Sequence, residues 1–279
     1  MTKKIAFQGT FGANSNLACL DFYPEYQAIP CNSFNEVFEL VAAKEVDLGI
    51  IPLENSYAGR VSEIHNLLQD SNLSIVAEHF LKIEHHLVAI FGTKLEDIKE
   101  VYSHPQALMQ CKNHLAKMKV KLINHSNTAQ AAEFIKNSND KSKAAICSKL
   151  AAKLNDLEII EEHLEDDRGS NITTFVAISK NAIDPDPIKS QVITTLLFTV
   201  RNIPGALYKV LGGFATNNVN MIKLESYIPG GTSSSQAKFF ISIEGHPNQK
   251  NVAQALEELG FFSKSVKVLG IYYADKNRY

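Results

Sequence analysis

Arginine is scarce in this 279-residue chain: only Arg60, Arg168, Arg201 and Arg278 are present. A site for an anion must therefore draw on few guanidinium groups, or on lysines and backbone N–H groups. Cysteine is sparse too. Cys19, Cys31, Cys111 and Cys147 show no C-x-x-C spacing, so no zinc or redox motif is visible. A chain of this length needs no disulfide staples. No apolar stretch approaches the roughly 18–20 residues of a membrane span, and MTKK runs into IAFQG with no apolar signal region behind it. An excess of charge is missing as well, with 28 Lys+Arg against 30 Asp+Glu and a formal net charge of -2. Nucleic-acid binding normally demands a cationic face. The expectation is a reduced, cytoplasmic protein with free thiols and neither nucleic-acid nor membrane partners.

What is present is core-forming: 45% of the residues are hydrophobic, and the length predicts about two domains. One break stands out. Residues 181–191, NAIDPDPIKSQ, hold two prolines and two aspartates and read as an extended linker. Upstream, KIAFQG, AIPC, VDLGIIPL, VKLINH, AAICS, LEIIEEHL and ITTFVAIS read as strands. NSNLACLDFY, SFNEVFELVAAKE and TAQAAEFIKNS read as helices, LSIVAEHFLKIEHHLVAIF is strand-rich, and VYSHPQALMQCKNHLAKM is strand then helix. Strands alternating with helices imply crossovers and mostly parallel sheets. Two α/β lobes are expected, with a cleft where strand ends meet helix starts. Ser33 with Glu36, ahead of the apolar face Val37, Phe38, Leu40 and Val41, reads as a capping box. Downstream, ITTLLFTV, GALYKVLGGFAT, NMIKLESYI, QAKFFISIE, NVAQALEELGFF and VKVLGIYY give the ferredoxin-like β-α-β-β-α-β pattern. Gly230-Gly231 marks its hairpin turn. Such modules often pair edge to edge, so an oligomer is expected.

Polar clusters recur where strands end, the place where open α/β folds hold ligands. Gly9-Thr10-Phe11-Gly12 follows the first strand; its glycines either bring backbone N–H groups to an anion or mark a plain turn. Glu54-Asn55-Ser56 closes another strand, with helix capping as the alternative. Ser103 reads as the cap of the next helix, with His104 at its entry and Gln110 further along; Thr128 opens TAQAAEFI. In Asn171-Ile172-Thr173-Thr174-Phe175 the β-branched residues suit a strand on their own. Pro204-Gly205-Ala206-Leu207 fits a helix amino-terminal turn.

The segments GTFGANSNLAC, DLGIIPLENSYAGRV, SHPQALMQC and NITTF, in that order and followed by this tail, resemble prephenate dehydratase with a C-terminal ACT regulatory domain. The resemblance covers nearly the whole chain. It implies a two-lobed, periplasmic-binding-protein-like α/β catalytic domain over 1–182, a linker over 183–192, and a ferredoxin-like α+β ACT domain over 193–279. It implies conversion of prephenate to phenylpyruvate in phenylalanine biosynthesis, by a homodimer or homotetramer controlled by L-phenylalanine. The substrate drives its own aromatisation, so the enzyme has to hold two carboxylates and ease hydroxide away. No metal or cofactor is implied. By the resemblance Thr173 assists the leaving hydroxyl, with Ser103, Gln110 and Asn55 as catalytic companions. Thr10, Phe11, Glu54, Ser56, Arg60, Thr128, Asn171 and Phe175 are implied to bind substrate. Glu54 suits orientation better than contact, since a carboxylate repels a dianion unless protonated. Gly205, Ala206, Leu207, Asn220, Glu225 and Ser226 are implied to bind L-phenylalanine at a subunit interface.

Two departures accompany the resemblance. The family pattern Asn-x-Thr-Arg-Phe has Thr174 in its arginine slot, which removes a carboxylate grip worth about 1.5–3 kcal/mol per charge-assisted bond. Arg60 or Arg168 is expected to take it over. The effector motif Glu-Ser-Arg-Pro appears as Glu225-Ser226-Tyr227-Ile228-Pro229. Arogenate dehydration, non-catalytic amino-acid binding, and decarboxylation without dehydration are the alternatives.

Overall fold

Short strands and helices alternate through the first part of the chain, following the apolar runs. The computed structural model describes residues 2–228 and 237–278, so the expected turn at Gly230-Gly231, like Pro229, lies outside the described residues. In chain order the elements begin with β1 (Lys4–Gln8), α1 (Asn14–Phe22), β2 (Gln27–Cys31), α2 (Phe34–Ala42), β3 (Leu48–Asn55) and β4 (Gly59–Arg60). They continue with α3 (Ser62–Asp70), β5 (Ser74–Lys82), β6 (His86–Ala89), β7 (Glu100–Ser103), α4 (Pro105–Gln110) and α5 (Lys112–Met118). Next come β8 (Lys121–Asn124), α6 (Thr128–Ser138), β9 (Lys143–Cys147), α7 (Lys149–Leu154), β10 (Glu158–Glu161) and β11 (Ile172–Ser179). The tail supplies β12 (Val192–Val200), α8 (Ala206–Thr216), β13 (Met221–Tyr227), β14 (Lys238–Glu244), α9 (Lys250–Phe262) and β15 (Ser263–Tyr273).

Three of these, β4, α3 and α7, have no counterpart among the expected elements. The inward face of α3 is interrupted by His65, which is buried beside Ile64 and Leu68 and obscures the apolar period. One expected helix is instead two, α4 and α5, broken at Cys111 where the backbone leaves helical geometry (φ -110°, ψ 14°). The capping box at Ser33 forms with a shift: its hydroxyl accepts from Glu36 N (3.2 Å), while the Glu36 carboxylate reaches Asn32 N.

The chain divides into two compact units, 1–37 with 50–61 and 80–175, and 38–49 with 62–79 and 176–279. The first unit contains two α/β lobes. One is built on the strand order β11-β3-β1-β2, with β4 on β3; the other on β10-β6-β9-β7-β8. The second of these sheets is mixed rather than mostly parallel. β6 runs antiparallel to β9 and β10, whereas β7 is parallel to both β8 and β9. The reason is that β6 enters the lobe directly from β5 rather than through a crossover helix.

Side chains alternate across this sheet. Leu87, Ala89, Val101, Ala144 and Ile146 pack under Leu108 and Leu115 on one face; Val88, Tyr102, Ala145 and Cys147 pack under Ala132, Ile135 and Ala151 on the other. Both faces are dry, at roughly 1.5–3 kcal/mol for each large side chain buried. The second unit contains the strand order β13-β14-β12-β15-β5. The helical spacing of Leu207, Val210, Leu211 and Phe214 along α8 predicts that all four pack on the sheet; Val210 and Phe214 are buried against Leu196, Phe198 and Ile241 and Leu207 is partly buried with them, whereas Leu211 is half-buried outside that cluster. Among the described residues no helix is long and apolar enough to cross a membrane.

All four cysteines are free and buried. Burial pushes the thiol of Cys31 up to about 11 and those of Cys19 and Cys147 up to about 12, and raises Cys111 as well. At pH 8 the thiolate, the reactive form, is suppressed at every one. A thiol-reactive chromophore should therefore label the native protein only over hours and all four positions promptly after denaturation; rapid native labelling would contradict the burial.

Candidate active site

A cavity of about 440 Å³ opens between the two lobes of the first unit, within the usual range of roughly 300–1,000 Å³ for small-molecule sites. The first lobe contributes Gln8 at the end of β1 and Gly9 after it, Ala13, Asn14 and Ser15 at the start of α1, Asn55 at the end of β3, Arg60 on β4, and Thr173 and Phe175 on β11. The second contributes His104, Gln106 and Gln110 around α4, and Ser126, Asn127 and Thr128 at the start of α6. His85 lines the cavity from the segment between β5 and β6. The amino-terminal turns of α1 and α6 thus border one space. Their dipoles favour an anion there. α1 has no side-chain cap, because its N-cap residue is Ala13.

One amide sets the polarity of the whole site. The Asn55 Oδ1 accepts from the backbone N–H groups of Tyr57 and Ala58, each at 3.0 Å. Its Nδ2 is thereby turned to donate to Asn171 Oδ1 (2.8 Å) and Thr173 Oγ1 (2.9 Å). Asn171 Nδ2 donates in turn to Gln110 Oε1 (3.1 Å). That same oxygen lies 2.7 Å from His85 Nε2. Burial holds the His85 pKa below its ordinary value, so the imidazole is neutral near pH 7 and donates from Nε2. The His85 backbone N–H donates to the Glu165 carboxylate (3.0 Å). Two consequences follow from this polarity. Thr173 accepts from Asn55, which leaves its own O–H to donate into the cavity. Gln110, its oxygen doubly occupied, presents its NH₂.

Of the twelve residues expected at the substrate, seven line the cavity: Asn55, Arg60, Gln110, Thr128, Asn171, Thr173 and Phe175. The other five do other work. Ser103 is fully buried and donates to the Ile146 carbonyl (2.7 Å). It does not cap α4 either; His104 does, its Nδ1 accepting from Gln106 N. Ser56 straps its loop to β11, donating to Ser170 O (2.6 Å) and accepting from Ile172 N (3.0 Å). Glu54 accepts from Thr174 (3.5 Å). Thr10 is half-buried and Phe11 exposed, its ring edge-on to Phe7. The glycine loop is no anion cradle: Gly9 N donates to Cys31 O (2.9 Å) and Gly12 N to Asn16 Oδ1 (3.0 Å). Gly12 has a packing role, since a Cβ there would sit 3.0 Å from Ala151 Cα. Thr128 is the first residue of α6, whose cap is Asn127, accepting from Gln130 N (2.7 Å).

The missing arginine also finds its explanation. Side chains alternate along β11, so Thr173 and Phe175 face the cavity and Thr174 faces Glu54. Position 174 is therefore not a direct carboxylate grip in this chain. Arg168 lies outside the lining, and Arg60 is the one guanidinium among the described lining residues. Sequence reasoning missed His85, Gln106 and Asn127. Only Asn127 carried a signal, as an Asn ahead of a helical run; His85 sits inside an apolar stretch and becomes visible through its partners alone.

In the tail, Gly205 takes a left-handed φ of +73° as the N-cap position of α8, followed by Ala206 and Leu207. Asn220 Nδ2 donates to Glu244 (3.0 Å). Glu225 lies between His65 (3.1 Å) and Lys223 (3.4 Å), while Ser226 is exposed.

Asn55→Asp tests the network. The variant keeps the acceptor for Tyr57 and Ala58 but turns a carboxylate oxygen toward two oxygens that need a donor. It should lower the unfolding free energy at pH 7 by about 1–3 kcal/mol in urea titration; no loss would show that the amide does not organise the site.

A family model described as Prephenate dehydratase matches residues 5–183, and one described as ACT domain matches residues 194–261. The chain is 42% identical over 274 residues to the bifunctional N-acyl-homoserine lactone acylase/prephenate dehydratase of Komagataeibacter europaeus, covering 98% of this chain and 97% of that protein. It is 34% identical over 280 residues to the chloroplastic arogenate dehydratase/prephenate dehydratase 2 of Arabidopsis thaliana, covering 98% and 73%. Among solved structures it resembles prephenate dehydratase from Arthrobacter aurescens in complex with L-Phe, with TM-score 0.87, 28% identity, and 97% and 90% of the two chains covered. With a donor-lined cavity between two α/β lobes and a ferredoxin-like segment later in the chain, the chain belongs to the prephenate dehydratase family and carries an ACT domain.

Proposed function

We propose that this protein is a carbon–oxygen lyase of phenylalanine biosynthesis that converts prephenate to phenylpyruvate, carbon dioxide and water. The reading follows the family, and one observation carries it to these residues: the Thr173 hydroxyl accepts from Asn55 and therefore donates into the cavity. In the reaction the ring carboxylate leaves as carbon dioxide. Its bonding pair moves through the diene and the C–O bond opposite breaks, the departing hydroxide taking up a proton from solvent to leave as water. A threonine hydroxyl is too weak an acid to surrender its proton outright. Its role is to hydrogen-bond the oxygen as negative charge builds on it, which lowers the barrier without a strong acid.

The substrate's two carboxylates call for positive potential at the other end. Arg60, the NH₂ of Gln110 and the amino-terminal turns of α1 and α6 supply it. Thr128 and Asn171 hold the polar wall, and Phe175 offers an apolar surface for the ring. Residues 1–182 act as the catalytic part and 193–279 as the regulatory part, joined through 183–192. L-phenylalanine binds the latter around Gly205, Ala206, Leu207, Asn220, Glu225 and Ser226, in a cytoplasmic homo-oligomer.

Incubation with prephenate should yield phenylpyruvate faster than spontaneous decay; an unaltered rate would end the proposal. Thr173→Ala should lower kcat by roughly 10²–10³ with little change in KM, whereas Thr173→Ser keeps much of it. Wild-type kinetics in the alanine variant would dismiss the leaving-group role. L-phenylalanine at about one hundred times its Kd should stabilise the protein by about 2.7 kcal/mol, read as a higher Tm. No shift in Tm or activity would leave the tail purely structural.

A further inference from the structure

A dianion brings two carboxylates to this cavity, and among the described residues lining it Arg60 is the one fixed cation. The ring of His85, 4% exposed, bears on that shortage because its two nitrogens differ. Nε2 donates to Gln110 Oε1 (2.7 Å). Nδ1 has no hydrogen-bond partner among the described residues, yet it is not one of the sealed polar atoms of the core. The space this ring lines is the cavity, so Nδ1 opens there. Its neighbours alternate: Ile83 lines the same cavity, whereas Lys82, Glu84 and His86 line another pocket.

A bare imidazole lone pair is out of place among donors. The side-chain oxygens of Asn55, Asn171, Gln110 and Thr173 all accept from protein N–H groups, so an arriving carboxylate meets N–H and O–H groups from them and a lone pair from His85. That lone pair repels a carboxylate, and a proton on it turns repulsion into a charge-assisted bond. The bond from Nε2 to Gln110 survives the change, since Nε2 donates in both forms. Three other charged or titratable groups bear on the ring. Glu165 accepts from the His85 backbone N–H (3.0 Å) and lies 3.5 Å from His163; His104 accepts from Gln106 N through its own Nδ1; Arg60 shares the lining. Burial outweighs Glu165 and favours the neutral imidazole. A bound dianion opposes burial, and an opposite charge within about 4–6 Å shifts such a group by about 1–3 pH units.

We infer that His85 takes up a proton on Nδ1 when the dianion binds, and that the resulting imidazolium is the second cationic partner of its carboxylates. The inference rests on the dehydratase reading of this cavity and adds a substrate-binding residue to it. One proton enters from solvent with the substrate, sits on Nδ1, and returns to solvent once carbon dioxide and the monoanionic product have left.

Steady-state kinetics of the full chain on prephenate between about pH 6 and about pH 8 test it, a range in which the substrate's own carboxyls stay ionised. The affinity added by the imidazolium is lost as pH rises, so KM should increase at least about fivefold across the range while kcat changes less than about twofold. His85→Gln keeps an N–H for Gln110 but does not titrate. It should raise KM at the acidic end at least about fivefold and leave it flat across the range, whereas a purely structural histidine would leave the slope in place. His104→Asn, which keeps a capping acceptor, should retain the wild-type slope; this variant and the wild-type profile decide if His85→Gln does not fold. A flat KM in the wild type, a slope that survives in folded His85→Gln, or a slope lost in His104→Asn would overturn the inference and leave the dehydratase reading intact. No turnover of prephenate at any pH would instead overturn the dehydratase reading.

Discussion

The site depends on the orientation of one side-chain amide. Asn55 closes a strand, and its oxygen is held by the two N–H groups of the turn that follows. The remaining half of the amide has no choice but to donate. From there each bond dictates the next: Asn171 is oriented by Asn55, Gln110 by Asn171 and His85 together. A chain of this kind has one direction, and reversing any member leaves a donor facing a donor or an oxygen facing an oxygen. In a half-buried site such a mismatch costs more than the bond itself contributes, which is why the arrangement is specified rather than one among several. It also explains how a hydroxyl as weakly acidic as that of Thr173 acquires a definite role: its oxygen is occupied from behind.

The site's electrostatics are economical for the same reason that arginine is scarce. One guanidinium and two helix termini border the cavity, and the charges of the neighbouring carboxylates are bound into the walls. Backbone dipoles require no side-chain ordering and no counter-ion, so they serve an anion well. The threonine at 174 belongs to this account. Strand alternation turns it toward Glu54, away from the face that Thr173 and Phe175 present to the cavity.

The second compact unit does not coincide with the tail. It includes α3 and the first part of β5, so that Glu225 of β13 pairs with His65 of α3. His65 is within the residues matched by the prephenate dehydratase model. His65 also stacks edge-on against Tyr227 and Phe240. Lys267 anchors the end of the same helix, donating to the carbonyls of Leu68 and Gln69 at 3.0 and 2.6 Å. A residue of the segment that the ACT model matches is thus tied to a helix within the segment that the prephenate dehydratase model matches.

Local chemistry was legible from the chain alone. Apolar period marked most of the strands and helices, because burial on one or two faces forces that period on any sequence. Asn55, Gln110, Asn171 and Thr173 stood out through the resemblance of their motifs to the family, since residue type alone is equally well explained by helix capping, an exposed helix position or a β-branched strand residue. Where the period was broken, as by His65 in α3, or where a helix lasted only six residues, as in α7, there was too little local signal to read. What tertiary structure alone decided is which way each group faces. Ser103 and Thr173 are both hydroxyls at strand positions beside the cleft, yet one is sealed against a carbonyl and the other opens into the cavity. His85 has no sequence signature at all, since its function is a partner far along the chain. Residue types and periods come from neighbours a few positions away; hydrogen-bond direction comes from groups brought together across more than a hundred, and only the folded chain brings Asn55 to Asn171.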